Sequence, residues 1–238
     1  LMAVPTAEGA ELMSVQVRRS RRARRLRLTI GGQGEVILTI PRGCSRREGI
    51  DFLNRHGDWM KKHLGGRKKK PAVSLLDFLQ KQGWLSVSGR RLPFQISFGN
   101  SSGVQSLVEG AFHFVLNREV DQEAELVRLL RKVASQELKA RTRELAESKG
   151  LRIQRISVRN QKSRWGSYSD RGTVSLNWRL LLIRPKLQDY IILHELAHVT
   201  EMNHSTHFWN LLESYVSQAR KHDREVTEIS REVMALGR

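Results

Sequence analysis

The sequence predicts an α+β fold, because segments with strand-like and helix-like patterns are segregated along the chain rather than alternating. Apolar residues alternate with polar ones, between glycine-containing turns, over much of residues 14–118. Beyond that point the apolar residues recur mainly at helical spacing. We therefore predict a β-rich N-terminal region with one helix over residues 14–118, followed by a mainly helical region over residues 119–238.

The first predicted elements are strands and a helix. Apolar residues alternate over residues 14–40 and are interrupted by a glycine-rich turn at residues 31–34, a pattern that predicts antiparallel strands. Ser45 then stands where an N-cap is expected, and the apolar spacing predicts a helix that runs to about Leu64. Glycine and lysine residues over 65–71 predict an exposed connector after it.

A second group of strands is predicted over residues 84–117, where apolar runs separated by glycine-containing turns indicate a small β-meander. A long helix from about Asp121 to Lys149 follows, and Gly150 stands where helices commonly end. The remaining predicted elements are two short strands, at 153–158 and 173–177, and two helices, one that starts near Pro185 and one that runs from about Ser205 to beyond Tyr215.

The chain of 238 residues is strongly basic, with 42 Lys and Arg against 24 Asp and Glu and a formal net charge of +18. Residues 1–70 carry 17 of the basic residues and 6 of the acidic ones. Such an excess favours anionic partners, so binding of nucleic acid through this basic N-terminal region is one hypothesis for the function. The alternative for the arginine run at residues 18–25 is a solvated strand edge, where positive charge prevents edge-to-edge pairing.

Cysteine content and hydropathy indicate the compartment. Cys44 is the one cysteine, so an intrachain disulfide and a multi-thiolate metal site are excluded. The longest apolar runs are far too short to cross a bilayer, and residues 1–13 lack the pattern of a secretion signal. We therefore expect a cytoplasmic protein without a membrane partner.

Four of the eight histidines fall between His194 and His207. His194 and His198 are four residues apart, so on a helix both imidazoles face the same way and can bind one metal ion. Glu195 stands beside them and can reach a water molecule at that ion. The His-Glu-x-x-His motif therefore predicts a metal site, for Zn²⁺ or another divalent metal, with Glu195 as the catalytic base of a hydrolytic reaction.

The third ligand is less strongly specified by the spacing. His204 follows the first histidine of the motif by ten residues, the offset of the third histidine in metzincin peptidases. Asn203 is expected to end the helix in the left-handed conformation, with Ser205 capping the next helix and His204 in the corner between them. Glu201 on the same helical face and His207 in the next helix are rival ligands, and His207 is also a candidate for substrate contact.

These residues belong to a longer set of characteristic stretches. The set comprises residues 158–167, 175–180, 189–190, 194–198, 203–205 and 208–209, together with the arginine-rich residues 17–25 near the start. It resembles the YgjP-like metallopeptidase family, which is similar to the SprT-like and WLM zinc metalloproteases. The resemblance implies a zincin-like metallopeptidase domain at the C-terminal end, with zinc on His194, His198 and His204 and with Glu195 as the base.

Arg164 belongs to the stretch Asn-Gln-Lys-Ser-Arg-Trp-Gly-Ser, which precedes the histidine helix. In one hypothesis its loop forms a wall of the cleft, and Arg164 offers a cation to an oxyanion or phosphate oxygen of the substrate. The alternative is a structural ion pair, for which Asp189 is a candidate. Trp165 and Trp178 are interpreted as core residues.

The leading hypothesis for the function is a metal-dependent hydrolase, specifically a peptidase that acts on peptides. A second hypothesis keeps the metal but takes an anionic small molecule as substrate, such as the phosphoanhydride of a nucleotide, because Arg164 would lie near the ion. A third hypothesis is a nucleic-acid-binding protein with an accessory metal site. The sequence does not specify the oligomeric state.

Overall fold

A computed structural model describes residues 2–6, 9–13, 15–30, 36–60, 74–107 and 110–238. It contains both helices and sheets, so the α+β prediction is confirmed. The chain divides into two compact units, Leu1–Pro71 and Ala72–Arg238. This division groups the strands between residues 84 and 117 with the histidine helices, whereas the sequence patterns group them with the basic N-terminal region.

The first unit contains two sheets, formed by β1 (Met2–Thr6) with β2 (Gly9–Met13), and by β3 (Val15–Ser20), β4 (Arg27–Ile30) and β5 (Val36–Pro41). The strands β1 and β2 pair antiparallel and have no counterpart among the predicted elements. In the second sheet the order is β3-β5-β4. β5 pairs antiparallel with β4 but parallel with β3, so the prediction of antiparallel strands is right for one pair and wrong for the other. The predicted turn at residues 31–34 lies outside the described residues.

The burial of β5 explains why this strand occupies the centre of the sheet. Val36, Leu38 and Ile40 are each 1% exposed and belong to a core that includes Leu53 and Met60. The arginine-rich β3 lies at the sheet edge, where its charged side chains remain in water. A period-2 pattern identifies the buried face of each strand but not the order of the strands, so it cannot distinguish the two arrangements.

The helix α1 (Arg46–Arg55) begins where the sequence predicts. The Ser45 hydroxyl accepts a hydrogen bond from the backbone N–H of Glu48, and the Glu48 carboxylate accepts one from the backbone N–H of Ser45. α1 ends at Arg55, but after a turn at His56 the chain is helical again over residues 57–60, so the predicted helix is interrupted rather than finished at this point. The predicted end at Leu64 and the connector over 65–71 lie outside the described residues.

The second unit opens with a helix that the sequence patterns do not predict. This helix, α2 (Leu75–Gln82), is capped by Ser74 and ends at Gly83, which has a φ of +72°. Glycine adopts this left-handed conformation without the penalty that a Cβ brings. Residues 14–118 therefore contain more than the one predicted helix.

A four-stranded sheet follows, formed by β6 (Trp84–Val87), β7 (Arg90–Gly99), β8 (Gly103–Ser106) and β9 (Phe112–Asn117). The strand order is β6-β7-β9-β8, and β9 runs parallel to β7, so the predicted β-meander is wrong. Phe112, Phe114 and Leu116 of β9 are buried, and their burial favours a central position over an edge.

The remaining elements carry the histidines and their surroundings. They are α3 (Gln122–Ser148), β10 (Arg155–Arg159), β11 (Gly166–Ser169), β12 (Thr173–Asn177), a short 3₁₀ helix (Trp178–Leu182), α4 (Pro185–Ala197), α5 (Thr206–Tyr215) and α6 (Ala219–Val233). The N-cap of α3 is Asp121, and Gly150 follows the helix with a φ of +65°, so the long helix lies where it is predicted. The strands form a sheet in the order β10-β12-β11, in which β11 pairs antiparallel with β12. Neither β11 nor α6 is predicted as a separate element.

Apolar side chains from the sheets and helices of this second unit form one core. The helix α4 is buried around most of its circumference, so its position in the unit is closely constrained by packing. None of the helices in the described part of the chain combines the length and the apolarity needed to cross a bilayer.

Candidate metal centre

The two motif histidines lie at the C-terminal end of a buried helix. α4 begins with Pro185, a residue that suits the first helical turn. His194 lies in its last turn, and His198 follows directly after its end with helical backbone angles. Their ring centroids are 5.2 Å apart, so both imidazoles lie on the same side of the helix, as predicted.

The third histidine lies between two helices. Ser205 caps α5 by accepting a backbone hydrogen bond from its first turn, which places His204 in the predicted corner between α4 and α5. The prediction that Asn203 is left-handed is wrong. Apart from glycine, the described residues with positive φ are Ser88 and Gln218. Because α4 has already ended several residues earlier, the chain turns here without a left-handed residue at 203.

The three histidines converge on one point. One ring nitrogen from each of His194, His198 and His204 lies within 4.8 Å of the other two. The Nε2 atoms of His194 and His204 are 3.0 Å apart. Two nitrogens at a tetrahedral angle on one zinc ion would be separated by about 3.3 Å. The Nδ1 of His198 lies 3.0 Å from the carbonyl oxygen of Glu201, an acceptor that holds the proton on Nδ1 and leaves Nε2 available to a metal.

Phe208 orients the three imidazoles. Its side chain is completely buried, and its ring centroid lies 5.0 Å from that of His194, 4.7 Å from that of His198 and 4.7 Å from that of His204. The His198 ring is stacked on it, and the other two meet it edge to face. The sequence patterns assign Phe208 no role. Its position four residues after His204, in the first turn of α5, is the local signal that points to it.

Burial favours the neutral form of the imidazoles. Burial, together with the neighbouring His198 and His204, lowers the pKa of His194 to about 3. Burial also lowers the pKa of His198, and the hydrogen bond to the Glu201 carbonyl acts in the opposite direction. Neutral imidazole is the form that offers a lone pair to a metal.

The two rival ligands are placed differently. Glu201 contributes its backbone carbonyl to His198, but its carboxylate does not belong to the group of converging atoms. His207 is exposed in the first turn of α5, and its ring nitrogens do not belong to that group either. Among the residues that the structure describes, the converging set therefore consists of the other three histidines.

Glu195 packs against the first residue of the edge strand β11. It is 7% exposed, and a Cβ on Gly166 would come within 2.6 Å of its Cγ and Oε1 atoms. The missing side chain at position 166 therefore leaves room for the carboxylate. Burial raises the pKa of Glu195 to about 7, while the positive charge of Arg164 and a hydrogen bond from the Tyr168 backbone N–H lower it.

Arg164 is exposed, and its positive charge acts on Glu195. The candidate ion pair with Asp189 is wrong, because Arg141 of α3 donates to this carboxylate from Nε at 2.9 Å and from Nη2 at 2.6 Å. Over the described residues, no ion pair or side-chain hydrogen bond holds the Arg164 guanidinium. Its five N–H groups are thus available to an anionic or carbonyl oxygen.

The two tryptophans are core residues, as interpreted from the sequence. Trp178 is completely buried, and its Nε1 donates to the side-chain oxygen of Asn160 at 3.0 Å. Trp165 is 9% exposed, and its Nε1 donates to the Ser230 hydroxyl at 2.7 Å. Each indole therefore satisfies its one donor inside the unit.

The donor set fits a divalent transition metal. Imidazole nitrogen is a ligand that zinc favours, and a set of three protein ligands leaves a further position for water or substrate. Glu195 adds a carboxylate next to the set that does not belong to it. The site thus contains the kinds of side chain, imidazole and carboxylate, that metal-assisted hydrolysis uses.

We expect Gly166→Ala to lower the catalytic rate by roughly 10- to 100-fold while metal binding persists, because the new methyl group displaces the Glu195 carboxylate. Steady-state kinetics and zinc analysis of the purified variant measure both quantities. Gly103→Ala is the matched control, since a Cβ at that position meets nothing within 4 Å. Equal activity of the two variants would show that the contact with Gly166 does not place the carboxylate.

Three converging imidazoles beside a buried carboxylate define a metal-dependent hydrolase. The model of the YgjP-like family, described as a metallopeptidase domain, matches residues 24–228, and the chain belongs to this family. The protein is therefore a hydrolase of the metallopeptidase class, as the resemblance of its motifs implies. The nucleotide-hydrolase and nucleic-acid-binding hypotheses are not favoured by this membership.

Two solved structures are similar to part of the chain. The metallopeptidase zymogen abylysin of Pyrococcus abyssi is 25% identical, with a TM-score of 0.35, and the match covers 39% of this chain and 95% of that chain. The metallopeptidase zymogen jannalysin of Methanocaldococcus jannaschii is 28% identical, with a TM-score of 0.35, and the match covers 40% of this chain and 97% of that chain. No curated protein gave a significant match.

Proposed function

We propose that this metallopeptidase binds zinc through His194, His198 and His204 and uses Glu195 as its general base. The observation that carries the proposal is the convergence of three imidazole nitrogens within 4.8 Å of one another; the residue after the first of these histidines supplies a carboxylate that is 7% exposed. Zinc is proposed because it favours imidazole ligands in sites that keep one position open. We further propose that residues 119–238 form a zincin-like catalytic region.

The proposed reaction is the hydrolysis of a peptide bond. Zinc, when bound, polarises the carbonyl and acidifies a water molecule. A carboxylate oxygen of Glu195 accepts a proton from the attacking water as the new C–O bond forms. The carboxyl group then gives this proton to the amide nitrogen as the C–N bond breaks, which returns Glu195 to its starting state.

Arg164 and His207 are proposed to contact the substrate. The Arg164 guanidinium is exposed and acts electrostatically on Glu195. Its positive charge can therefore also attract an oxygen of a peptide that is bound near this base. His207 is exposed in the first turn of α5, three residues after His204. A polar side chain in this position can donate to or accept from a peptide group.

A substrate screen tests the proposed function. The purified protein is incubated with a peptide library and, separately, with nucleoside triphosphates, each with zinc, manganese or magnesium. We expect peptide cleavage that is strongest with zinc and is removed by a chelator. Release of phosphate or pyrophosphate from the nucleotides, with no peptide cleaved under any metal, would contradict the peptidase proposal.

A second proposal concerns the basic face of the first unit. Arg18 of β3 and Arg27 of β4 are both register partners of Thr39 of β5, so the two arginines flank this residue on one sheet face. Both are exposed, whereas Leu28 and Leu38 point to the opposite face and into the core. Two strand spacings separate the arginines by about 10 Å. We propose that this face binds the phosphate backbone of nucleic acid.

Charge reversal tests this second proposal. We expect wild-type protein to bind a labelled oligonucleotide with an affinity that falls steeply as salt is added. In Arg18→Glu/Arg27→Glu, the slope of log affinity against log salt concentration should be smaller by about two. Arg224→Glu/Arg231→Glu, which changes the charge of two exposed residues of α6 equally, is the control. Wild-type protein that fails to bind at low salt, or equal slopes in the two variants, would contradict the proposal.

We also propose a cytoplasmic location. Cys44 is the one cysteine of the sequence, and its thiol is free. A chain without disulfides is typical of reducing compartments. Fractionation of cells that express the protein would place it in the cytoplasmic fraction, and recovery from an extracytoplasmic fraction would contradict the proposal.

A further inference from the structure

Among the described residues, the buried cation Arg179 has only neutral oxygens as hydrogen-bond partners. It is 1% exposed, and its guanidinium donates to two segments of the chain. Towards the C-terminal segment, defined here as Met234–Arg238, Nε and Nη2 donate to the Leu236 carbonyl at 2.8 and 2.7 Å, and Nη2 also donates to the Gly237 carbonyl at 3.3 Å. Towards the other side, Nη1 donates to the side-chain oxygen of Asn160 at 2.7 Å and to that of Asn177 at 3.3 Å.

A buried charge without an ion pair is expensive unless many hydrogen bonds offset its lost hydration. Burial, with a smaller effect of Arg238, lowers the pKa of Arg179 to about 10. The guanidinium also lies over the Trp178 ring, 4.6 Å from its centroid. Apolar packing alone would connect the same elements at lower cost, so this connection calls for a reason other than stability.

Asn177, one of the two asparagines that accept from Arg179, also holds the loop that carries Arg164. This loop, defined here as residues 160–165, is held by the Asn177 side-chain amide, which donates to the Gln161 carbonyl at 2.9 Å and to the Arg164 carbonyl at 3.0 Å. The backbone N–H of Asn177 donates to the Trp165 carbonyl at 2.7 Å. The amide oxygen of Asn177 accepts from Arg179, so the same side chain connects the loop with the guanidinium.

The C-terminal segment also holds this loop directly. The Arg238 guanidinium donates from Nη2 to the Lys162 carbonyl at 2.6 Å and from Nε to the Met234 carbonyl at 2.7 Å. Met234 and Leu236 are buried, which anchors the segment in the unit. The loop is thus fastened from two directions before the chain enters β11 at Gly166, the residue that packs against Glu195.

We propose that Arg179 is a positioning residue of the active site, which joins the C-terminal segment to the loop at residues 160–165 and so holds Arg164 and β11 against Glu195. The inference rests on the proposed function of Glu195 and Arg164. It assigns a catalytic consequence to residues at 160, 179 and 238, none of which belongs to the converging histidine set. Loosening this connection displaces the base and the free guanidinium together, while His194, His198 and His204 stay in place.

Three substitutions test the proposal at different strengths. Asn160→Ala removes an acceptor that Arg179 shares with the Trp178 indole, Arg238→Ala removes the direct link to the loop and leaves that acceptor in place, and Arg179→Lys keeps the charge but cannot reproduce the forked contacts. The mild variants at exposed positions 160 and 238 keep the test valid if Arg179→Lys fails to fold. Asn100→Ala and Arg231→Ala, at exposed positions outside the connection, are the matched controls.

Two quantities are measured on each zinc-loaded protein, namely amide hydrogen exchange over residues 160–169 and the kinetic constants for peptide hydrolysis. We expect faster exchange in this segment and a fall in kcat of about tenfold in the mild variants, with zinc content unchanged and with controls like wild type. Unchanged exchange, or faster exchange with an unchanged kcat per zinc-loaded molecule, would overturn the positioning role. If wild-type protein cleaves no peptide, the proposed function fails, and the exchange measurement alone decides whether the connection holds the loop.

Discussion

Replacing Glu195 by glutamine is expected to reduce peptide hydrolysis by roughly 10²- to 10⁴-fold, the usual contribution of a general base. Glutamine has nearly the same shape, so it fits in the space beside Gly166 and keeps the metal ligands undisturbed. Its amide oxygen cannot hold the proton that the carboxylate takes from water. Both kcat and zinc content are measured on the same preparation, because we expect kcat to fall while the zinc content stays at the wild-type level.

The matched control is Glu228→Gln, which makes the same chemical change at an exposed position of α6. This control should hydrolyse peptide at the wild-type rate. Turnover by Glu195→Gln at the rate of the control, with zinc present in both, would remove Glu195 from the mechanism. Loss of zinc from Glu195→Gln would instead show that the carboxylate is needed at the metal, which the described geometry does not predict.

Substitution of the third histidine has the second large expected effect. His204→Ala should weaken zinc binding by more than the 10- to 100-fold that loss of an outer-shell partner costs, because it removes one of three direct ligands. Competition with a chelator of known affinity measures the change. Zinc should also raise the melting temperature of the wild type, since a ligand that binds only the folded state stabilises it, and this rise should be much smaller in His204→Ala.

The rival ligands provide the controls for this experiment. Glu201→Gln and His207→Ala should bind zinc as the wild type does, because neither side chain belongs to the converging set. His207→Ala is expected to change the KM for peptide if the residue contacts the substrate as proposed. A variant at 201 or 207 that loses zinc while His204→Ala retains it would reverse the assignment of the third ligand.

Local chemistry made parts of the fold predictable. The caps at Ser45, Asp121 and Ser205 each depend on one side chain and the N–H groups that follow it, so each can be recognised from a few adjacent residues. The motif histidines are predictable for the same reason, since four residues bring two side chains to one face of a helix. The order of strands in the three mixed sheets was not predictable, because a period-2 pattern identifies the buried face of a strand but not the strands that it pairs with.

Contacts between distant residues explain what sequence patterns missed at the site. Asp189 is held by Arg141, which lies 48 residues earlier, rather than by the nearer Arg164. Gly166 faces Glu195 only because β11 pairs with β12 and packs on α4, and β11 is too short and polar to be predicted alone. The oxygens that surround Arg179 include the backbone carbonyls of Leu236 and Gly237. Every residue has such a carbonyl, so the sequence does not indicate which of them bind the guanidinium.

Crystallography tests directly whether the three histidines bind zinc. Anomalous diffraction measured at the zinc absorption edge, from crystals of the zinc-loaded protein, locates the ion without reference to activity. We expect a peak between the imidazoles of His194, His198 and His204, with ring nitrogens at about 2.0–2.1 Å from it. A peak at any other group of side chains, with these three histidines free of metal, would contradict this expectation.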